Sequence, residues 1–320
     1  MANVKSRVLS IDKLGKKNPL SEFLRRLVKE KPLGAIGGVI VLLLLIIGIF
    51  ADWLAPYGMT DINLRDNLIP PGSQYILGTD QLGRDMLSRV IYGARTSMIV
   101  GVVATSLSMV VSAFIGIVSG FVGGKFDLVL QRFVDAWMCF PGLIIIITII
   151  SMLGPGLMQV ILVAGLTFGI SGSRVIRSAV ISIKGNMYMD AAVAIGCPLR
   201  VLLGKHILPN VAAPLIVLFS TRMGSVILME ATISFLGFGI PPPTPSWGGM
   251  LSGSGREYML EGPWMVLWPG LFLSFAVYGV NMFGDAVRDL LDPRLRGGLG
   301  RYGGGNKKAE KMLTKHKQSS

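Results

Sequence analysis

Charged residues are scarce in this sequence. Only 15% of its 320 residues are Asp, Glu, Lys or Arg, whereas 51% are hydrophobic, and a soluble domain carries roughly 25% charged residues. Mean hydropathy is +0.60. This deficit of charge excludes an ordinary soluble domain and indicates a membrane protein. The net charge of +13 does not indicate nucleic-acid binding, because the basic residues lie in the two tails and a few short loops.

Cysteine and the motifs of catalysis are also scarce. Cys139 falls in a predicted membrane span and Cys197 in a predicted cytoplasmic loop, so we expect no disulfide, and neither has metal-ligand spacing. The sequence contains no His-Glu-x-x-His, no Gly-x-Ser-x-Gly and no G-x-x-x-x-G-K-[ST] phosphate loop. It therefore predicts no cofactor, no metal site and no enzyme activity of its own.

Long apolar segments are abundant. A helix needs about 20 apolar residues to cross about 30 Å of hydrocarbon, and six segments meet that length. The first follows a basic tail without a cleavage site, so it predicts an uncleaved anchor rather than a signal peptide. The spans are predicted at about 33–55, 96–121, 128–153, 157–183, 211–236 and 264–287.

The distribution of Lys and Arg predicts the orientation of these spans. Basic loops alternate with neutral ones, and basic loops face the cytoplasm. Both termini are therefore predicted to be cytoplasmic in a multi-pass protein of the cell membrane. We predict four regions: a cytoplasmic tail with an interfacial helix, the first span with an external loop, a five-helix core with short cytoplasmic helices at about 187–206, and a basic cytoplasmic tail. Their bounds are 1–31, 32–94, 95–292 and 293–320.

The N-terminal tail contains an amphipathic pattern. Asn18 and Pro19 are typical of a helix start, and apolar residues then recur at helical spacing opposite a basic face. The pattern predicts a helix on the membrane surface; the alternative is a basic flank that only sets topology. The apolar residues are Leu20, Phe23, Leu24, Leu27 and Val28.

Small residues at four-residue spacing mark places where helices approach closely. Gly116, Gly120 and Gly124 end the second predicted span, and Gly165 and Gly169 lie in the fourth. Such spacing allows close contact between helix backbones. We interpret these glycines as packing positions rather than ligand positions.

The stretch 187–210, "MYMDAAVAIGCPLRVLLGKHILPN", is too polar for lipid and too apolar for an ordinary loop. It predicts two short helices: Gly196 ends the first in a left-handed conformation, Pro198 starts the second and Pro209 stops it. Outward-facing alanines on the first helix favour insertion into a partner's groove. The alternative is an interfacial connection that only joins two spans.

This stretch resembles the EAA motif of ABC importer permeases, with Asp190 in place of the usual Glu. Three further stretches, 77–97, 230–251 and 283–297, resemble the C-type permease of dipeptide and oligopeptide importers. The resemblance covers residues 20–297 in order. It implies that the ATPase-coupling residues of the motif are Asp190, Ala191, Ala192, Gly196, Leu208 and Pro209.

The resemblance implies an all-α integral membrane fold of the type I ABC importer permease, MetI-like kind: six transmembrane helices, with a coupling-helix hairpin between the fourth and fifth. It also implies three kinds of protein partner, in addition to membrane lipid, and no nucleic acid. These are a second, homologous permease subunit in a heterodimer, two cytosolic ATPase subunits, and a substrate-binding protein outside. The implied substrates are peptides, with nickel complexes or oligosaccharides as alternatives. A different class, an ATP-independent secondary transporter or channel, would explain six spans but not the docking hairpin.

Two charged residues fall in the fifth predicted span. Charge near the bilayer centre costs at least about 2.5–3.5 kcal/mol and normally faces the protein interior or a wet cavity. Arg222 is expected either to line the translocation path or to form an ion pair, with Asp135 or within a heterodimer. For Glu230 the ion pair is favoured over the path.

The loops on the predicted outer side carry a few further candidates. Asp80 and Asp85 are expected near the start of a helix, where backbone amides stabilise carboxylates, with a binding-protein contact as the alternative. Trp247 follows a proline-rich loop and is expected to anchor at the membrane interface.

Overall fold

The computed structural model describes residues 19–291, with side chains from residue 21 onward. The predicted cap at Asn18 and the predicted tail 293–320 lie outside this range. Within it the chain is helical, and the only β pairing is an isolated bridge between Thr79 and Asp85. The α-helices are α1 Pro19–Glu30, α2 Pro32–Ile49, α3 Ala51–Leu54, α4 Met86–Val122, α5 Gly124–Met138, α6 Gly142–Leu153, α7 Leu157–Lys184, α8 Met187–Ala194, α9 Leu199–Val201, α10 Leu208–Phe235, α11 Trp247–Leu251, α12 Ser254–Glu257 and α13 Trp264–Leu291.

Five helices are long and apolar enough to cross a membrane. The segment predicted as the third span is instead two helices, α5 and α6, which meet at an angle of 86°. Pro141 explains the break, because proline disrupts helical backbone bonding and disfavours helix in the residue before it. Residues 19–291 therefore contain five candidate spans, or six if the bent pair counts as one. The five are α2, α4, α7, the continuous helix Leu199–Phe235, and α13.

Helix α4 begins ten residues before the predicted span. Its N-cap is Asp85, whose carboxylate accepts hydrogen bonds from the Ser88 backbone N–H and hydroxyl at 2.8 and 2.7 Å. Arg89 and Arg95 interrupt the apolar run and so hid this first part of the helix. Arg95 is paired with Asp52 of α3, with 2.7 Å between Nη2 and Oδ2, and that hydrogen bond lowers the pKa of the Asp52 carboxyl.

The glycine pattern is confirmed where α4 packs on α7. A Cβ at Gly116 would lie 2.7 Å from Ile176 Cβ, and one at Gly120 would lie 2.9 Å from Val180 Cβ. Gly165 and Gly169 make the reciprocal approach from α7, against side chains of α4. The expectation for the last glycine of the α4 row, at position 124, is wrong: it starts α5 with φ +59° and has open space where a Cβ would sit.

The first and last spans also meet through small residues. A Cβ at Gly37 of α2 would lie 2.6 Å from the Gly279 carbonyl oxygen of α13. An ion pair at the helix ends, Lys31 Nζ to Asp289 Oδ2 at 2.5 Å, joins the same two segments. Helix α13 in turn packs closely on the middle of α10, where a Cβ at Gly284 would lie 2.5 Å from the Ser220 carbonyl oxygen.

Candidate functional site

Residues 187–209, here called the elbow, connect α7 to α10. Helix α8 ends at Ala194, and Gly196 then takes a left-handed φ of +76°, as predicted. A Cβ at Gly196 would contact nothing within 4 Å, so the glycine is required by its backbone conformation and not by crowding. The result is a sharp reversal between two helical arms.

The second arm of the elbow differs from its prediction. Pro198 precedes α9 as its N-cap instead of starting it, and a π-helical segment over Leu202–Ile207 follows directly. Pro209 does not stop the arm, since it lies in the first turn of α10, where a missing N–H costs nothing. The arm therefore runs without a break from Leu199 to Phe235 as one helix of 37 residues.

Buried side chains attach the elbow to the spans. Met189 and Ala192 are 2% and 8% exposed, and Leu202 and Ile207 from the second arm are buried with them. They pack against α7 and α10, in one cluster with Ile176 and other apolar residues. The elbow is therefore a fixed part of the helical core.

The opposite surface of the elbow is apolar and uncovered. Met187 is 86% exposed and Ile195 84% exposed, and Val193 and Leu199 are also exposed. Such a patch on a single chain indicates an interaction site.

The residues of the EAA-like motif divide between these two surfaces. Asp190 and Ala191 are exposed, whereas Ala192 packs inward, so the expectation that both alanines face outward is wrong for Ala192. Leu208 and Pro209 are exposed in the first turn of α10. A partner that covered the apolar patch would meet Asp190 and Ala191 directly.

Arg222 lies about 21 Å along α10 from Leu208, near the middle of the helix. Its guanidinium carbon is 5.6 Å from the centre of the Phe168 ring of α7. Asp135 pairs instead with Arg174 of α7 and, at 3.3 Å, with Arg132. Between residues 19 and 291 no ion pair joins Arg222 to Asp135, so that form of the predicted pair is wrong.

A cavity of about 200 Å³ adjoins Arg222 at the bend between α5 and α6. Trp137 and Thr167 also line it, and the indole nitrogen and the hydroxyl are buried without a hydrogen-bond partner in the described part of the chain. Sequence reasoning missed both residues. A lone Trp and a lone Thr carry no periodic signal, and their convergence depends on the 86° bend.

Glu230 is not in an ion pair in the structure. Its carboxylate is 1% exposed and accepts hydrogen bonds from the hydroxyls of Ser97, at 3.3 Å, and Ser234, at 2.7 Å. The bond from Ser97 joins α10 to α4, whereas the bond from Ser234 lies within α10. The ion pair favoured for Glu230 is therefore wrong within residues 19–291, and the residue serves as a buried hydrogen-bond centre.

Charged residues of the outer-loop motif form a second buried cluster. The Asp80 carboxylate accepts from Arg84 Nε at 2.6 Å and lies 3.6 Å from Arg89 Nε.

Trp247 is fully buried and its indole donates to the Val90 carbonyl at 3.2 Å. The expectation that Trp247 anchors at the membrane interface is wrong, because its ring packs inside the helical core.

Comparison with known proteins places these features in context. The family described as "Binding-protein-dependent transport system inner membrane component" matches residues 112–297. The family "N-terminal TM domain of oligopeptide transport permease C" matches residues 18–71. Together these two matches cover most of the chain.

Individual relatives agree with these matches. The chain is 36% identical over 287 residues to the di/tripeptide transport system permease protein DppC of Pseudomonas aeruginosa, covering 87% of this chain and 93% of the relative. It is 34% identical over 268 residues to the oligopeptide transport system permease protein OppC of Bacillus subtilis, covering 84% and 88%. The solved MetNI methionine ABC transporter, in an inward-facing conformation, superposes with a TM-score of 0.53 at 16% identity, covering 65% of this chain and 98% of that one. That structure supports the MetI-like fold.

Proposed function

We propose a function for this chain that starts from its family. The chain belongs to the binding-protein-dependent transport system inner membrane components and is a permease subunit of an ABC importer. Such subunits are not themselves enzymes. The finer proposal is that this chain forms half of a transmembrane path for peptides. A second permease subunit supplies the other half, two cytosolic ATPases supply the energy, and an external binding protein delivers the substrate.

The substrate class in this proposal comes from the relatives. Those compared above are named for di- and tripeptide and for oligopeptide transport, and both share about a third of their residues with this chain. We propose peptides on that ground, in preference to nickel complexes or oligosaccharides.

The elbow is proposed as the contact with an ATPase. The observation that carries this proposal is its division into two surfaces: Met189 and Ala192 are buried against the spans, whereas Met187 and Ile195 are more than four-fifths exposed. A partner that covers the exposed surface would gain apolar burial at roughly 25 cal/mol per Å². Since the second arm is continuous with α10, force applied there acts on the same helix that enters the membrane.

The proposed contact also orients the chain. The elbow follows α7 and precedes α10, and it lies on the side where basic loops predominate. We therefore propose that the elbow and both termini face the cytoplasm.

The test is a single substitution, Ala191→Arg. Ala191 is exposed, so a long charged side chain there leaves the elbow folded but obstructs a partner seated on it. We expect loss of ATP-driven uptake and loss of co-purified ATPase subunits in mild detergent, with normal membrane insertion. Ala192→Arg is a poorer test, because Ala192 is buried and the arginine would disrupt the elbow itself.

The matched control is Glu22→Arg, which places the same side chain at an exposed position of α1. It should retain both uptake and ATPase association. Full uptake and full ATPase retention in Ala191→Arg would refute the elbow as the coupling contact.

A further inference from the structure

We propose that the cavity beside Arg222 is a carboxylate-binding subsite on the path of the transported solute, with Arg222, Trp137 and Thr167 as its donors. The proposal rests on the transport function proposed above and narrows its substrate class to solutes that carry a free carboxylate group.

The polar lining of this cavity donates hydrogen bonds and offers few acceptors. A guanidinium and an indole N–H are donors only, and a threonine hydroxyl has one proton to donate. Trp137 Nε1 and Thr167 Oγ1 are buried and without partners among residues 19–291. Ser171 also lines the cavity, but its hydroxyl donates to the Phe168 carbonyl at 3.0 Å. Three donor groups therefore remain for a ligand: the guanidinium of Arg222, the indole N–H of Trp137 and the hydroxyl of Thr167.

The charge in this cavity is also unmatched. No carboxylate of the described chain lines it, and Asp135, two residues from Trp137, is already paired with Arg174 and Arg132. A buried donor without a partner is unfavourable, and a charge at this depth is more so. An anion that entered the cavity would remove both costs.

Size and charge favour a carboxylate over other anions. The cavity holds about 200 Å³, less than the roughly 300–1,000 Å³ of a site that encloses a whole small molecule, so it takes one end of a solute. One guanidinium balances one negative charge, and a planar carboxylate matches the fork of an arginine. A phosphate group carries nearly two negative charges at neutral pH and would leave one unbalanced.

The first experiment measures the charge preference of the cavity and needs no substrate. Phe140 lines the cavity and is 64% exposed, so Phe140→Cys, made with Cys139→Ser and Cys197→Ser, places a single thiol at its mouth. The purified importer complex is treated with a sulfonate and with a trimethylammonium methanethiosulfonate, and rates are normalised to a free thiol. We expect the anionic reagent to react about tenfold faster. This ratio is smaller than the unscreened Coulomb attraction between the reagent and Arg222 would give, because salt and solvent screen that attraction.

This preference should depend on the charge at position 222. Arg222→Met should abolish it, and Arg222→Lys should retain it. Leu260→Cys, at a position that is 92% exposed and outside both the elbow and the cavity, is the control thiol, whose reagent ratio should not respond to Arg222→Met. Equal reaction of both reagents at Phe140→Cys with Arg222 present would overturn the subsite. An acidic side chain of a neighbouring subunit that already occupied the cavity would give this same result.

The second experiment measures uptake of labelled dialanine and dialanine amide by cells that express the full importer. We expect Arg222→Met to lower dialanine uptake about 10- to 100-fold, the loss of one charged hydrogen bond. Trp137→Phe and Thr167→Val should raise the half-saturating concentration about threefold to tenfold with little change in maximal rate. The control Ser274→Ala, at an exposed position of α13 outside the cavity, should transport normally, and dialanine amide should enter poorly with every variant.

The two experiments separate the two proposals. An anionic preference at Phe140→Cys with no uptake of either peptide would refute peptides as the substrate class and still support the subsite. Equal uptake of acid and amide, unchanged by Arg222→Met, would overturn the subsite while the peptide function stood.

Discussion

Replacing Gly116 by alanine should weaken the packing of α4 against α7. The added Cβ would lie 2.7 Å from Ile176 Cβ, 2.7 Å from the Ser173 carbonyl oxygen and 2.9 Å from the Arg177 amide nitrogen. Two of these three atoms belong to the backbone, so no side-chain rotation relieves the contact. The helices must separate by roughly 1 Å to restore the 3.5–4.0 Å of ordinary contact.

The expected magnitude follows from two opposing terms. Overpacking of a dense interior costs typically about 1–3 kcal/mol, whereas alanine gains about 1 kcal/mol over glycine in a helix interior. The separation also loosens the close contact between Gly120 and Val180, which is tight enough that a Cβ added at Gly120 would lie 2.9 Å from Val180 Cβ. We expect a net loss of up to about 2 kcal/mol in the free energy of unfolding.

Thermal unfolding in detergent measures this loss. The matched control is Gly270→Ala in α13, where the nearest atom to an added Cβ, Leu251 Cδ2, is 3.9 Å away. Gly116→Ala should lower the Tm by a few degrees, and Gly270→Ala should leave it unchanged or raise it. If Gly116→Ala were as stable as Gly270→Ala, the close approach of α4 and α7 would not contribute to stability and the packing argument would be wrong.

Two further substitutions test the contacts made by Trp247 and by Tyr75. Trp247→Phe removes the hydrogen bond from the indole to the Val90 carbonyl and part of a fully buried ring, so we expect a loss of about 1–2 kcal/mol in the same thermal assay, and an unchanged Tm would contradict it. The Tyr75 hydroxyl donates to the Asp66 carboxylate at 2.8 Å, and this bond raises the pKa of Tyr75. The contribution of that bond to stability is present below the ordinary tyrosine pKa of about 10 and is lost as pH rises through the higher pKa of the folded protein. Ultraviolet titration of the unmodified chain and of Tyr75→Phe should differ by one phenolate, which forms above about pH 10 in the unmodified chain.

Periodicity and composition were enough to predict most of the spans. A long apolar run and the spacing of small residues within it can both be seen in one segment of the sequence. For this reason α2, α7 and α13 lie close to their predicted places, and Gly116 and Gly120 pack as expected. The turn at Gly196 was also predictable, because a left-handed residue after a helix needs glycine.

Long-range pairing was not predictable from the sequence. The early start of α4 depends on Arg95 finding Asp52 across 43 positions, and a run interrupted by arginine looks like a loop until that partner is known. Pro209 was read as a stop, but proline is equally suited to a first helical turn, and only the preceding segment decides between these roles.

The candidate site shows the same limit. Motif resemblance identified the elbow, because its residues are consecutive in the chain. The cavity beside Arg222 combines α5, α7 and α10 across a bend, and no short window contains Trp137, Thr167 and Arg222 together. Pairing Arg222 with Asp135 was plausible by depth, but Arg174 lies closer to that carboxylate.

The unbroken helix from Leu199 to Phe235 has a mechanical consequence. It is pressed against α13 near its middle, at the close contact between Ser220 and Gly284, and a rigid rod held there behaves as a lever. The arm from Ser220 toward Leu199 is about 32 Å long and the arm toward Phe235 about 23 Å. A sideways push on the long arm would swing the short arm the opposite way by roughly 0.7 of the distance, while Arg222, two residues from the fulcrum, would stay almost still.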